Sequence, residues 1–327
     1  MSYLLRGIAA NGGIRVVAAD TTQLVEEARV RHDTSPTATA ALGRTLTGAL
    51  LLSHVLLKNP QDRVTLRLRG DGPMGGVIAD AGLDGSVRGY VTNPNTYVPL
   101  RPDGKLNVGG ALGKGDLQVI RAHAPYGDPY SSSVDLVTGE VAEDIAVFLA
   151  QSEQISSAVL VGVYMERNGV VKSGGVILQA LPDADPAALD LLEANVKAVG
   201  QLTDAMQRAS LLEILEELCW GLDFKLLTQD ALPLRFECSC SDEKALDALA
   251  YFSPEERERM IEEDGGAEAV CHWCGEKRWV TPEQIRSISD DEIRCPECDT
   301  LWYREGQVPM VRESERCACG EPVQLPA

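Results

Sequence analysis

Hydrophobic and polar positions follow two different periods along this chain. Over Val64-Thr65-Leu66-Arg67-Leu68-Arg69 they alternate one for one, which predicts a half-buried strand. Other short apolar runs are joined by turn signals: Asn11-Gly12-Gly13, Asp84-Gly85 between 77–81 and 87–91, and Asn168-Gly169 between 159–165 and 170–171. Asn-Gly and Asp-Gly supply the positive φ angles of tight hairpin turns, so each site predicts an antiparallel hairpin. Two stretches follow a helical period instead. Ser35 with Pro36 opens one that stays apolar-rich to residue 58 and stops at Pro60; residues 140–154 carry Val141, Ile145, Phe148 and Leu149 at helical spacing. Hairpins interrupted by helices predict an α+β domain over 1–181, not a doubly wound parallel sheet.

The pattern changes at Pro182. Asp185-Pro186 reads as a cap and first turn, followed by amphipathic stretches at 187–199 and 202–218 with Gly200 between them and Gly221 after. Leu189, Leu192, Val196 and Val199 line one stripe, and Met206, Leu211, Leu215 and Leu218 help to line the other. Residues 182–230 are therefore expected to form a helical linker lying on the core. Beyond it, 231–288 and 289–327 each hold four cysteines; 242–261 is helical in pattern, and 281–293 is a short acidic spacer opening with Thr281-Pro282-Glu283.

The full 327 residues are long enough for more than one domain, and the formal net charge is −19. That charge argues against electrostatic binding to nucleic acid or to an anionic membrane. From Phe236 onward acids outnumber bases about two to one. The longest apolar run, 48–57, is interrupted by Ser53 and His54 and is too short to span a bilayer. With no secretion signal in Met1-Ser2-Tyr3-Leu4-Leu5-Arg6, a reducing cytoplasm is expected.

Eight of the nine cysteines change the picture most. Cys238 and Cys240 form a CxC pair, Cys271 and Cys274 a CxxC pair, Cys295 and Cys298 another CxxC, and Cys317 and Cys319 a second CxC. Four thiolates from two short-spaced pairs make the soft, tetrahedral donor set that Zn²⁺ selects. Cys238, Cys240, Cys271 and Cys274 are assigned to a first zinc, with His272 as a solvent-facing neighbour. Cys295, Cys298, Cys317 and Cys319 have the look of zinc-ribbon knuckles and are assigned to a second, mainly structural zinc. Spacing alone leaves open whether the two sets pair in sequence or interleave. The ninth, Cys219, reads as a core thiol.

Other candidates carry little. The Gly-rich segment 69–76 has no phosphate-binding frame, and 109–115 fails as a P-loop because Val108 stands at its first glycine and Gly115 at its Ser/Thr. Both read as loops or strand ends. None of His32, His54, His123 and His272 lies in a catalytic motif. Arg31-His32-Asp33 reads as a capping or packing element. No catalytic residue is assigned, and no enzyme activity is expected.

Phe236-Glu237-Cys238-Ser239-Cys240-Ser241, the Glu263-Asp264-Gly265-Gly266 neighbour and Val270-Cys271-His272-Trp273-Cys274-Gly275 resemble the zinc domain of the redox-regulated 33 kDa heat-shock chaperone family. Ser35-Pro36-Thr37-Ala38-Thr39-Ala40-Ala41-Leu42-Gly43-Arg44, the loop at 69–73, and the stretches at 131–140 and 151–155 are similar to its core motifs. The resemblance covers about 1–288. It implies an ATP-independent holdase that binds unfolded proteins under oxidative stress and heat shock, holding zinc and quiescent when reduced, active when oxidised, and dimeric in the active form. It also implies disulfides Cys238–Cys240 and Cys271–Cys274 on oxidation, with zinc release and an unfolding linker. The four added cysteines after residue 288 depart from that pattern. Two other classes compete. One is a zinc-ribbon module for nucleic acid or a transcription partner, with Trp302, Tyr303 and Arg304 as a stacking surface. The other is a thiol–disulfide oxidoreductase, which lacks a thioredoxin-like βαβ context.

Overall fold

The computed structural model describes residues 1–123, 129–227, 231–288, 292–294 and 301–304. The chain divides into two compact units, 1–238 and 239–327.

The first unit begins with β1 (Tyr3–Ala9) and β2 (Ile14–Asp20), a hairpin closed over Ala10–Gly12. Helices α1 (Thr22–His32) and α2 (Pro36–Leu56) follow. Next come β3 (Arg63–Gly70), β4 (Gly76–Gly82), β5 (Ser86–Val91), the short α3 (Val108–Leu112), β6 (Gly115–Ala122) and β7 (Tyr130–Asp135). Helix α4 (Ala142–Gln151) leads into the hairpin β8 (Ser157–Glu166) and β9 (Gly169–Ala180). After the linker helices α5 (Pro186–Val199), α6 (Leu202–Arg208) and α7 (Leu211–Leu218), three two-residue strands close the unit: β10 (Lys225–Leu226), β11 (Leu232–Pro233) and β12 (Arg235–Phe236). One sheet runs β10-β1-β2-β9-β8 with β11 also on β1, and the other β12-β5-β4-β3-β6-β7. The fold is α+β, and all three hairpins expected from turn chemistry form.

Helix α2 lies between the two sheets, against β3, β4 and β5 on one side and β2, β8 and β9 on the other. Its environment explains its composition. Sixteen of its 21 residues are buried, so the helix is apolar almost all round, as a core helix must be. Ser35 caps it, its Oγ accepting from the Ala38 amide at 3.4 Å. No helix among the described residues is long and apolar enough to cross a membrane.

The β2–β9 ladder shows what covers the other face of the first sheet. A Cβ on Gly175 would meet Leu51 and Thr47 of α2, whereas one on its neighbour Gly174 would meet Met206 of α6 at 2.8 Å. Successive residues face opposite ways, so Val16, Ala18, Val176 and Leu178 turn their side chains toward the linker. They form one buried cluster with Leu202, Met206, Leu211, Ile214, Leu215 and Leu218. The linker helices are thus a lid on an apolar sheet face.

Several elements differ from the sequence expectation. Helix α1 occupies 22–32, and Arg31-His32-Asp33 ends it, with Asp33 left-handed as its C-cap. Residues 202–218 form two helices, because Ala209 is extended and Ser210 with Glu213 builds a capping box that starts a new one. The 109–115 segment contributes the short helix α3, capped by the Asn107 side chain.

The second unit contains α8 (Asp242–Leu249), α9 (Pro254–Asp264), the hairpin β13 (Ala267–Val270) with β14 (Lys277–Val280), α10 (Pro282–Arg286), and the pair β15 (Glu292–Arg294) and β16 (Leu301–Arg304). The 242–261 stretch is two helices, broken where Ser253, Pro254 and Glu256 form a new cap, and the acidic spacer contains α10 behind a Thr281–Gln284 capping box. Its core is small. Ala245, Leu249, Val280 and Ile285 are its buried cluster, with Leu246, Met260, Ile261, Ala267 and Ala269 packed around it.

Candidate metal centre

Cys238 and Cys240 follow directly on β12. That strand pairs in parallel with β5, Arg235 opposite Ser86 and Phe236 opposite Val87, and the Glu237 amide donates to the Val87 carbonyl at 2.9 Å. Phe236 is buried beneath the end of α1, edge-on to His32 with ring centroids 6.2 Å apart and with the Arg31 guanidinium 5.5 Å from its centroid. Arg235 anchors the strand further, donating to the Asp84 carbonyl at 2.8 Å and its carboxylate at 2.7 Å. Hydrogen bonding to Ser86 and the Arg235 charge hold the Asp84 carboxyl below its ordinary value although burial acts the other way. After Cys240, Ser241 caps α8 by accepting from the Lys244 amide at 3.2 Å, while the Lys244 ammonium donates to the Ser239 carbonyl at 2.7 Å.

Cys271 and Cys274 sit on the turn between β13 and β14. The Cys274 and Gly275 amides donate to the Cys271 carbonyl at 3.3 and 2.8 Å, and the Cys271 amide to the Glu276 carbonyl at 2.9 Å. Gly275 has φ +71°, a left-handed turn that lets two cysteines three apart point the same way.

The ligand atoms of Cys238, Cys240, Cys271 and Cys274 all lie within 4.8 Å of one another. The Sγ atoms of Cys240 and Cys274 are 3.5 Å apart. A tetrahedral centre with ~2.3 Å zinc–sulfur bonds has sulfur–sulfur edges of about 3.8 Å, so the quartet has the right donors at the right separation for one metal ion. Cys274 is buried and the other three half-buried. His272 is exposed and stands outside the quartet. One contributor escaped the sequence reading. Arg278 on β14 places Nη2 3.8 Å from the Cys240 sulfur while Nη1 donates to Asp242 at 2.5 Å. Its positive charge offsets part of the −2 that four thiolates around a divalent ion would carry. Nothing in the chain pattern marks this arginine; only the hairpin register brings it there.

Cys219 lies in the cluster beneath the linker, 2% exposed, and burial pushes its thiol up to about 12. It is the inert core thiol expected. Cys295, Cys298, Cys317 and Cys319, expected to hold a second zinc, lie outside the described residues, as do the side chains of Trp302, Tyr303 and Arg304.

With this geometry in place, comparison with known proteins is decisive. A profile of the family described as Hsp33 protein matches residues 2–281. The chain belongs to the Hsp33 family. A 33 kDa chaperonin of Thermus thermophilus is 53% identical over 337 aligned positions, covering 100% of this chain and 98% of that protein. The 33 kDa chaperonin of Deinococcus radiodurans is 47% identical, covering 89% of this chain and 99% of that one. The crystal structure of a 33 kDa chaperonin from Thermotoga maritima superposes with a TM-score of 0.78 at 33% identity, covering 87% of this chain and 96% of its own. The Thermus alignment thus extends through the segment after residue 288, whereas the Deinococcus protein matches a shorter span.

Proposed function

We propose that this Hsp33-family chain is a redox-regulated, ATP-independent holdase in the cytoplasm, dimeric when active, in which one zinc on Cys238, Cys240, Cys271 and Cys274 keeps the linker closed over the core. The observation that carries the reading is the apolar sheet face beneath α6 and α7, joined through one short segment to the first cysteine of the quartet. The described parts of that segment, 225–227 and 231–237, are tied to β1 by β10 and β11 and to β5 by β12.

Bound zinc supplies a cross-link worth on the order of 10–16 kcal/mol in a structural site. A whole domain has only about 5–15 kcal/mol of net stability. Among the described residues of the second unit the buried cluster is only Ala245, Leu249, Val280 and Ile285, a small core that gains much from a cross-link. The cysteines also carry the chemistry that removes it. A peroxide oxidises one thiolate to a sulfenic acid, and the neighbouring thiolate attacks that sulfur and expels water. Each disulfide formed gives up two electrons, reduces one peroxide to two waters and takes up two protons. With Cys238–Cys240 and Cys271–Cys274 formed, the quartet has no thiolate left for the first zinc.

The linker then loses its anchor. Helices of 14, 7 and 8 residues are at or below the length that persists alone in water, so they depend on the sheet for their structure. Their departure uncovers Val16, Ala18, Val176 and Leu178 together with their own apolar stripes, a continuous surface for unfolded clients. The four later cysteines are assigned to a second zinc that stiffens the tail; neither nucleic acid nor membrane has a part in this reading. Native mass spectrometry before and after peroxide, beside an aggregation assay, tests it: metal loss must precede protection of a heat-denatured client. A Cys238→Ser, Cys271→Ser chain that stays compact without metal and handles clients as the reduced parent does would overturn it.

A further inference from the structure

We infer that Met206 is a modification site: once the linker lifts, its thioether is oxidised to the sulfoxide, and α6 then cannot return to the sheet until that oxygen is removed. The inference rests on the lid opening proposed above and adds to it a second oxidation, reversed separately from the disulfides.

Geometry singles this side chain out. Helix α6 has seven residues, of which Leu202, Ala205 and Met206 are buried. It reaches the first sheet over two glycines that face each other across strands, Gly162 of β8 and Gly174 of β9. Thr203 and Met206, three apart and so on one side of the helix, are seated on that pair. A Cβ on Gly162 would lie 2.5 Å from Thr203 Cγ2, and one on Gly174 would lie 2.8 Å from both Sδ and Cε of Met206. The sulfur thus rests where even a methyl group on the strand has no room. The buried cluster around it is hydrocarbon apart from this sulfur and that of Cys219. Met74, the other buried methionine, is not part of that cluster, so lifting the linker bares Met206 selectively.

The chemistry follows from the position. With the lid down Met206 is 3% exposed, so oxidant meets it only after the quartet has reacted and the linker has left. A peroxide then transfers one oxygen: its O–O bond breaks, the sulfur gives up two electrons and gains the S=O bond, and the other oxygen leaves as water. The product is one oxygen larger and carries a strong dipole that asks for a hydrogen-bond donor. The glycine pair leaves no space for that oxygen, and the hydrocarbon side chains offer it no donor, so redocking would bury an unpartnered polar group. Two reductants must therefore act before the lid closes: a thiol reductant on the disulfides, and sulfoxide reductases, one for each sulfur epimer, on Met206.

The test treats the full-length protein with peroxide, then with a dithiol and zinc, then with both sulfoxide reductases. After each step alkylation of Cys219 reads the lid and peptide mass spectrometry reads Met206. With its disulfides reduced and zinc restored, the parent is expected to alkylate Cys219 still at least about tenfold faster than never-oxidised protein, and to fall back only after the sulfoxide reductases. Met206→Leu, close in volume and leaving every other methionine in place, should fall back after dithiol and zinc alone. Met206→Gln, never oxidised, should keep its zinc and label like the sulfoxide form; if that variant unfolds, the leucine comparison decides alone. Met206 left unoxidised in a chain whose Cys219 has become reactive overturns the proposal, as does a parent that closes with the sulfoxide in place. Either failure leaves the holdase reading standing. A chain that loses zinc without exposing Cys219 overturns the opening itself, and this proposal with it.

Discussion

Cys219 gives the most direct test of whether the lid leaves the sheet. Its sulfur is 2% exposed in the cluster under α7, and burial raises its pKa from 9.0 to about 12. If metal loss detaches the linker, that thiol enters water and returns to ordinary acidity. The perturbation is peroxide, followed by iodoacetamide near pH 8. A fall of about three pKa units raises the thiolate fraction roughly a thousandfold at that pH, before any gain from reagent access. Peptide mass spectrometry on samples quenched over time follows the label on Cys219 separately from the quartet, which is locked in disulfides. The expected result is a reduced protein nearly silent at Cys219 and an oxidised one that labels hundreds of times faster. Protein that has released its metal and holds aggregating clients, yet alkylates Cys219 no faster than before, would show that the lid stays docked.

Four further outcomes are expected. A Cβ at Gly162 would lie 2.5 Å from Thr203 Cγ2 on α6. Gly162→Val should therefore wedge the linker off by about 1–3 kcal/mol, a factor of roughly 5–150 in the docked ratio, and give the reduced, zinc-loaded protein client protection in a light-scattering assay. His54 is largely buried with neither ring nitrogen hydrogen-bonded, and desolvation, aided by Arg6, lowers its pKa from 6.5 to about 4. The unfolded chain thus binds the extra proton first, and stability falls as pH drops from 6.5 toward 4. The loss is about 2 kcal/mol at pH 5, which urea titrations should show and His54→Leu should abolish. The buried Asp144 carboxylate accepts from the amides of Val137, Thr138, Gly139 and Val141 at 2.8–3.3 Å, so Asp144→Ala should cost about 2–4 kcal/mol by thermal melts. Replacing Cys295, Cys298, Cys317 and Cys319 by serine should lower the zinc count from two to one while client protection after peroxide persists.

Much of the fold was legible because local chemistry and tertiary structure agree. Asn168-Gly169 and Asp84-Gly85 close the hairpins they announce, and Ser35-Pro36 caps α2 where it should. Cysteine spacing likewise marked the quartet, since a CxC and a CxxC leave few other uses for four thiols. What the periodicity obscured was the breaks. Ser210-Leu211-Leu212-Glu213 and Ser253-Pro254-Glu255-Glu256 are capping boxes, a signal present in the chain but outweighed by a continuous helical pattern, and Thr281-Pro282-Glu283-Gln284 is a third, at the head of what reads as an acidic spacer. Helix α1 was passed over because only Leu24, Val25 and Ala28 of its 11 residues are buried, a weak stripe for a helix. Arg278 could not be found from sequence at all; its place beside Cys240 depends on register between strands.

Under the proposed switch, the breaks at Gly200 and at Ala209-Ser210 have a consequence for how the protein would reset. A single long rod would peel away whole and could redock out of register, sliding by a turn. Three short pieces would dissolve into flexible chain and each find its own berth again, the first and last headed by side-chain caps at Asp185 and Ser210. Re-closure would therefore proceed piecewise, and a client still seated on any one berth would block only that piece.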